Sequence, residues 1–98
     1  MATELLSGLI PFHILLHAEQ QEIYGQWMIE ELHHHGYRIG PGTLYPMLHR
    51  LTERGYLRVR EEHLGKTRRR YYRLTTKGRK ALAQARHHVS ELFGEMAE

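Results

Sequence analysis

The 98-residue chain predicts a mainly α fold with a two-stranded β-hairpin: a winged helix-turn-helix preceded by an N-terminal helix and followed by a long C-terminal helix. Three observations lead there. Gly40-Pro41-Gly42-Thr43-Leu44-Tyr45-Pro46 opens a helix whose first turns carry small and polar groups, and Lys66-Thr67-Arg68-Arg69-Arg70-Tyr71-Tyr72 supplies a basic hairpin after it. The third is the placement of charge. Residues 1–35 hold no Lys or Arg and five Glu, whereas residues 38–80 hold thirteen Lys or Arg against three acids, so the middle of the chain is the part that faces a polyanion. Residues 81–98 return to net negative, with Arg86 against Glu91, Glu95 and Glu98.

Each element follows from periodicity. Leu5, Leu6, Leu9, Ile10, Ile14, Leu15 and Leu16 predict a helix over about residues 9–17, with Pro11 tolerated only in its first turn, where a missing N–H costs little. These apolar residues cover more than one face, which predicts a second burial surface supplied by another subunit. Ile23, Trp27, Met28 and Leu32 recur at helical spacing, giving a helix over 23–35 that Gly36 stops. The third helix starts at Pro41 or Gly42, places Leu44, Leu48 and Leu51 inward, turns Thr43, Met47, Arg50 and Arg54 away, and ends before Gly55.

Over residues 56–62 the period changes to two, with Leu57 and Val59 alternating with Arg58 and Arg60. After a turn at Gly65, Tyr72 and Leu74 alternate with Tyr71 and Arg73 in the partner strand, and Lys66 to Arg70 form the tip. Such a hairpin must lean on helices to be stable. Thr75 is suited to cap a last helix. Along it Leu82, Ala85, Val89, Leu92 and Met96 repeat at spacings of three and four, a seam of the kind helices use to pair, widened by Phe93. The chain thus reads as a single domain, 1–98, with the winged helix-turn-helix in 9–74 and a dimerisation helix in 75–98.

Several function classes drop out. Without cysteine there are no disulfides, thiolate metal sites or thiol chemistry. The apolar stretch Leu5 to Leu16 is broken by Ser7, Gly8, Pro11 and His13 and is far shorter than the ~20 residues of a membrane helix, so the cytoplasm is the expected compartment. Ser7 and Ser90 are the only serines, and no carboxylate pair has a plausible separation, so no enzyme is expected. Nine histidines raise a metal question, chiefly at His33-His34-His35, at His87-His88, and at His13 and His17, which share a helix face. Neighbouring helical residues point about 100° apart, so three in a row cannot converge on one ion without unwinding the helix. No metal site and no cofactor is expected.

What remains is double-stranded DNA as partner. A helix entering the major groove needs small or polar groups at its start. Gly42 permits close backbone approach, Thr43 offers a hydroxyl, Tyr45 and Pro46 lie beside it, and Arg50 stands one to two turns on. The hairpin adds Lys66, Thr67, Arg68, Arg69, Arg70 and Tyr71, suited to a minor groove or its phosphates. Tyr45 and Tyr71 are equally suited to packing.

These segments resemble the PadR family of winged-helix transcriptional regulators. The family's pattern around the third helix is matched by Gly40 to Pro46, Leu48, Arg50-Leu51 and Gly55-Tyr56. Its hairpin motif is matched by Arg69-Arg70-Tyr71-Tyr72-Arg73-Leu74-Thr75-Thr76-Lys77-Gly78, and its opening by Glu4-Leu5-Leu6-Ser7-Gly8. Two positions depart: Gly40 replaces the usual capping Ser, and Gln26 replaces an aromatic residue in Tyr24-Gly25-Gln26. The resemblance implies a homodimeric repressor on an inverted-repeat operator, dimerised through the first and last helices. Here the candidate interface residues are Leu5, Leu6, Leu9, Leu82, Ala85, Val89, Leu92, Phe93 and Met96. Some proteins of this family release DNA when an aromatic or other hydrophobic effector binds between the subunits, and Phe12, Trp27 and Phe93 are the candidate contacts here; Trp27 taken alone reads first as core. The rival reading is a winged-helix protein-interaction module or a non-specific architectural DNA binder. Truncation near residue 80 is expected to abolish dimerisation and specific binding together.

Overall fold

The computed structural model describes residues 8–97. Helices α1 (Ile10–Gln20), α2 (Gly25–His34) and α3 (Pro41–Glu53) are followed by strands β1 (Leu57–Leu64) and β2 (Thr67–Leu74) and by helix α4 (Thr76–Met96). The expected order of elements is the observed one. One core joins them: Ile14 of α1, Met28 and Leu32 of α2, Leu44 and Leu48 of α3 and Leu82 of α4 are sealed from solvent, and Leu57, Tyr72 and Leu74 bring in the base of the hairpin.

Pro11 falls in the first turn of α1, as its missing donor requires, and the helix runs three residues beyond the expected end. Helix α2 starts later than the spacing of Ile23 and Trp27 suggests. Ile23 instead forms a β-bridge to Tyr72, its N–H donating to the Tyr72 carbonyl at 3.0 Å and its carbonyl accepting from the Tyr72 N–H at 2.8 Å. The link between α1 and α2 thereby acts as a third edge for the wing. Gly36 and Gly55, at φ +89° and +82°, take the left-handed conformation that stops α2 and α3.

The hairpin is longer than the sequence suggests. Pairing runs from Leu57 with Leu74 to Leu64 with Thr67, closed by a two-residue turn at Gly65 and Lys66 with Gly65 at φ +65°. Arg68, Arg69 and Arg70 therefore lie inside β2 rather than in the tip. Val59 was expected on a covered face with Leu57, yet it is 42% exposed, because the body covers only the hairpin's base.

Helix α4 is capped by Thr75, whose side chain accepts from the Gly78 N–H at 2.9 Å. Its apolar seam divides. Leu82 is sealed in the chain's own core, so it is a packing residue and not the interface residue the periodicity suggested. Beyond the Arg86–Glu19 ion pair at 2.8 Å, every described residue of the helix is exposed. Leu5 and Leu6, with the rest of the Glu4 to Ser7 motif, lie outside the described residues.

Candidate nucleic-acid interface

The start of α3 is built to be approached. Gly40 is extended and caps the helix with its backbone alone: its carbonyl accepts from the N–H groups of Thr43 at 3.2 Å and Leu44 at 3.0 Å, with no side-chain cap. A Cβ at Gly40 or Gly42 would meet no heavy atom within 4 Å, so the surface there is open. Thr43, Pro46 and Arg50 are exposed along the same helix, while Leu44, Leu48 and Leu51 hold it to the core. The unpaired N–H of the first turn adds a site for a phosphate oxygen.

Tyr45 is placed by a residue the sequence reading passed over. A Cβ at Gly25 would collide with the Tyr45 ring, so the absent side chain lets α3 lie against the start of α2. Tyr45 packs there by one face and stays 45% exposed by the other. The only advance signal was the position of Gly25 within Tyr24-Gly25-Gln26.

The wing is set against this surface by stacking and ion pairs. Arg69 lies over the Tyr24 ring at 4.1 Å, Tyr24 meets Tyr71 edge-on at 5.7 Å, and Arg60 lies over Tyr71 at 4.5 Å. Arg60 also grips both oxygens of Glu22 at 2.7 and 2.8 Å and donates to Glu62 at 2.8 Å. The hydrogen bond from Arg60 holds the Glu22 carboxyl below its usual range, and the same contacts raise Arg60. Tyr71 is thus occupied inside the wing, and Arg60, absent from the expected contacts, is a strut between the wing and the turn before α2.

Arg68 and Arg70 are differently placed. Each has a guanidinium nitrogen 3.8 Å from Glu61 and is well exposed. Such loose surface pairs contribute at most about 1 kcal/mol, so a phosphate readily replaces the carboxylate. With Arg69, Tyr24, Tyr45 and Glu61 they line a groove of about 430 Å³ between the wing and the starts of α2 and α3. Replacing Arg68 or Arg70 by Ala is expected to weaken DNA binding and to reduce the slope of log affinity against log salt by about one each. Fluorescence anisotropy over a salt series measures this; an unchanged slope removes that arginine from the interface.

Away from this face, three histidines meet. His13 and His17 of α1 share a face as expected, and the ring they meet is that of His35, just past α2. His13 Nε2 lies 3.0 Å from the Tyr37 hydroxyl, and burial first, then His35 and His17, hold its imidazole below the ordinary value. Of the remaining histidines, His33 bonds the Ile39 carbonyl at 3.0 Å, which ties the end of α2 to the turn before α3. Phe12 and Trp27 pack partly buried against the core, while Phe93 is 71% exposed on the free half of α4.

Residues 14–84 match the transcriptional regulator PadR-like family. The chain is a member of the PadR-like family. It is 43% identical to the transcriptional regulator Rv3488 of Mycobacterium tuberculosis over 95% of this chain and 87% of that protein. Among solved structures, a PadR family transcriptional regulator from Eggerthella lenta is similar with TM-score 0.85 and 30% identity, covering 100% of this chain and 89% of that one. A PadR-like transcriptional regulator from Bacillus cereus is similar with TM-score 0.78 and 26% identity, covering 97% of each. This PadR-like chain is a transcriptional regulator with the family's winged-helix fold, and PadR-family regulators bind DNA. Its described residues contain no helix long and apolar enough to cross a membrane.

Proposed function

We propose that this PadR-like regulator is a homodimeric repressor that grips an inverted-repeat operator, with the exposed start of α3 in the major groove and the wing on adjacent phosphates. The observation that carries the reading is the groove in which Tyr45 of α3 faces Arg68 and Arg70 of the wing, with Gly42 and Thr43 exposed in the first turn of the same helix. In this arrangement Thr43 and Arg50 meet the duplex from α3, Lys66 and Thr67 extend the contact at the wing turn, and the tyrosines position rather than read. Two copies related by a twofold axis present two such helices about one helical turn apart, ~34 Å, so the operator carries matching symmetry.

Dimerisation through the free half of α4, with Leu9 alongside, is part of the same proposal. So is a hydrophobic effector between subunits, near Phe12, Trp27 and Phe93. Selection of bound sequences from random duplex tests the central claim: a palindromic consensus with fixed half-site spacing is expected. Equal affinity for consensus and scrambled duplex at all salt concentrations would instead assign an architectural role. Tryptophan fluorescence during titration with aromatic compounds tests the effector, since Trp27 is the only indole; the absence of both a spectral change and a loss of DNA binding would remove it.

A further inference from the structure

We propose that His13, His17 and His35 form a binding site for one divalent transition-metal ion of the zinc type. One nitrogen from each ring lies within 4.8 Å of the others, although His35 comes from the end of a different helix. Around a tetrahedral ion with Zn–N bonds of about 2.0–2.1 Å, ligand nitrogens stand roughly 3.3 Å apart. The rings must close by about 1.5 Å, within reach of χ rotation in side chains that are partly or fully exposed.

Two features fit an ion better than a simple aromatic cluster. A metal-bound imidazole needs a partner for its other ring nitrogen, usually a carboxylate or another oxygen. With the ion on the Nδ1 atoms of His35 and His13, those partners are the Glu31 carboxylate, 3.2 Å from His35 Nε2, and the Tyr37 hydroxyl, 3.0 Å from His13 Nε2. The second feature is composition. Three neutral nitrogen ligands suit zinc-like ions and not calcium or magnesium, which take oxygen, and Glu31 supplies nearby negative charge.

Three protein ligands leave the fourth position to water, the open arrangement of an exchangeable site. The core is complete without it, so the ion is not needed for folding. Its physical effect is to tie α1, through two residues one turn apart, to the end of α2, the helix against which Tyr45 of α3 rests.

The test uses the full-length chain without a polyhistidine tag, stripped with chelator. Zn²⁺ is titrated calorimetrically, and Co²⁺ is followed by visible absorption, where a tetrahedral site gives intense bands. Trp27 gives a third signal, because the His17 ring lies 5.4 Å from the indole. One ion per chain is expected, with at least tenfold weaker binding in His13→Ala, His17→Ala and His35→Ala and about tenfold weaker binding in Tyr37→Phe. The double variant His87→Ala/His88→Ala serves as control and should bind as the parent does. Circular dichroism checks each fold, with His35→Gln as the milder change at the exposed ligand. Binding that survives all three single substitutions, binding lost in the control, or no Zn²⁺ uptake would each overturn the site.

Discussion

Replacing Leu92 and Phe93 together by Glu should leave a folded monomer whose affinity for its operator has fallen by roughly 10²- to 10⁴-fold, the gain that joining two half-site contacts ordinarily supplies. The argument starts from the seam on α4. Val89, Leu92, Phe93 and Met96 are 41%, 55%, 71% and 73% exposed and fall at spacings that place them on one side of the helix. Burying a residue of this size is worth about 1.5–3 kcal/mol, so two copies of the stripe packed about a twofold axis supply a strong association term. In the proposed dimer, glutamates placed there would meet their own symmetry mates and add repulsion to the lost burial. Because neither side chain touches the core, the helical signal should persist. Truncation near residue 80 is a poorer test: it removes Leu82 from the core and so confounds unfolding with loss of pairing. Sedimentation or light scattering, paired with operator binding, reads the result. A double variant that stays dimeric, or a monomer that holds its operator as tightly as the parent, would sink the arrangement.

The division of α4 shows what periodicity carries and where it stops. The repeat from Leu82 to Met96 is continuous, so nothing in it marks the point at which the helix leaves its own body. That boundary is set by where α1 ends, near the Glu19–Arg86 pair. The order of helices and strands was legible because each element buries one face at its own period. The wing's outer half buries almost nothing, so no alternation advertised its length, and a run of arginines inside a strand looked like a turn. Ile23 shared helical spacing with Trp27 but spends its backbone on Tyr72. Of the site, the glycine-fronted start of α3 and the basic wing were readable from residue type alone. The Gly25–Tyr45 contact, the Arg60 strut and the histidine trio each join segments distant in sequence, and only packing brings them together.

Gly78→Ala should be the most damaging of the glycine-to-alanine substitutions, costing about 3 kcal/mol or more and lowering Tm by more than about 10 °C. A Cβ at this position would run into the backbone carbonyl of Tyr56 and the Leu74 side chain, and a carbonyl cannot swing aside as the end of a long side chain can. The clash falls on a joint where several bonds converge. Thr75 donates its hydroxyl to the Gly55 carbonyl and its N–H to the Tyr56 carbonyl at 3.1 Å, while the Gly78 N–H returns to the Thr75 hydroxyl at 2.9 Å. In the same turn, Lys77 donates to the Arg54 carbonyl at 2.7 Å, closing the end of α3. Moving α4 outward to admit a methyl loosens these contacts together and drags Leu82 from its sealed position. Gly42→Ala is the contrasting substitution. Its methyl meets nothing, and alanine favours helix by about 1 kcal/mol, so Tm should hold or rise while any loss appears only in DNA binding. Thermal denaturation of the two variants beside the parent separates the roles: a Gly78→Ala protein melting within about 3 °C of the parent would mean that the joint between α4 and the α3–β1 turn yields freely, and that the wing is not held by it.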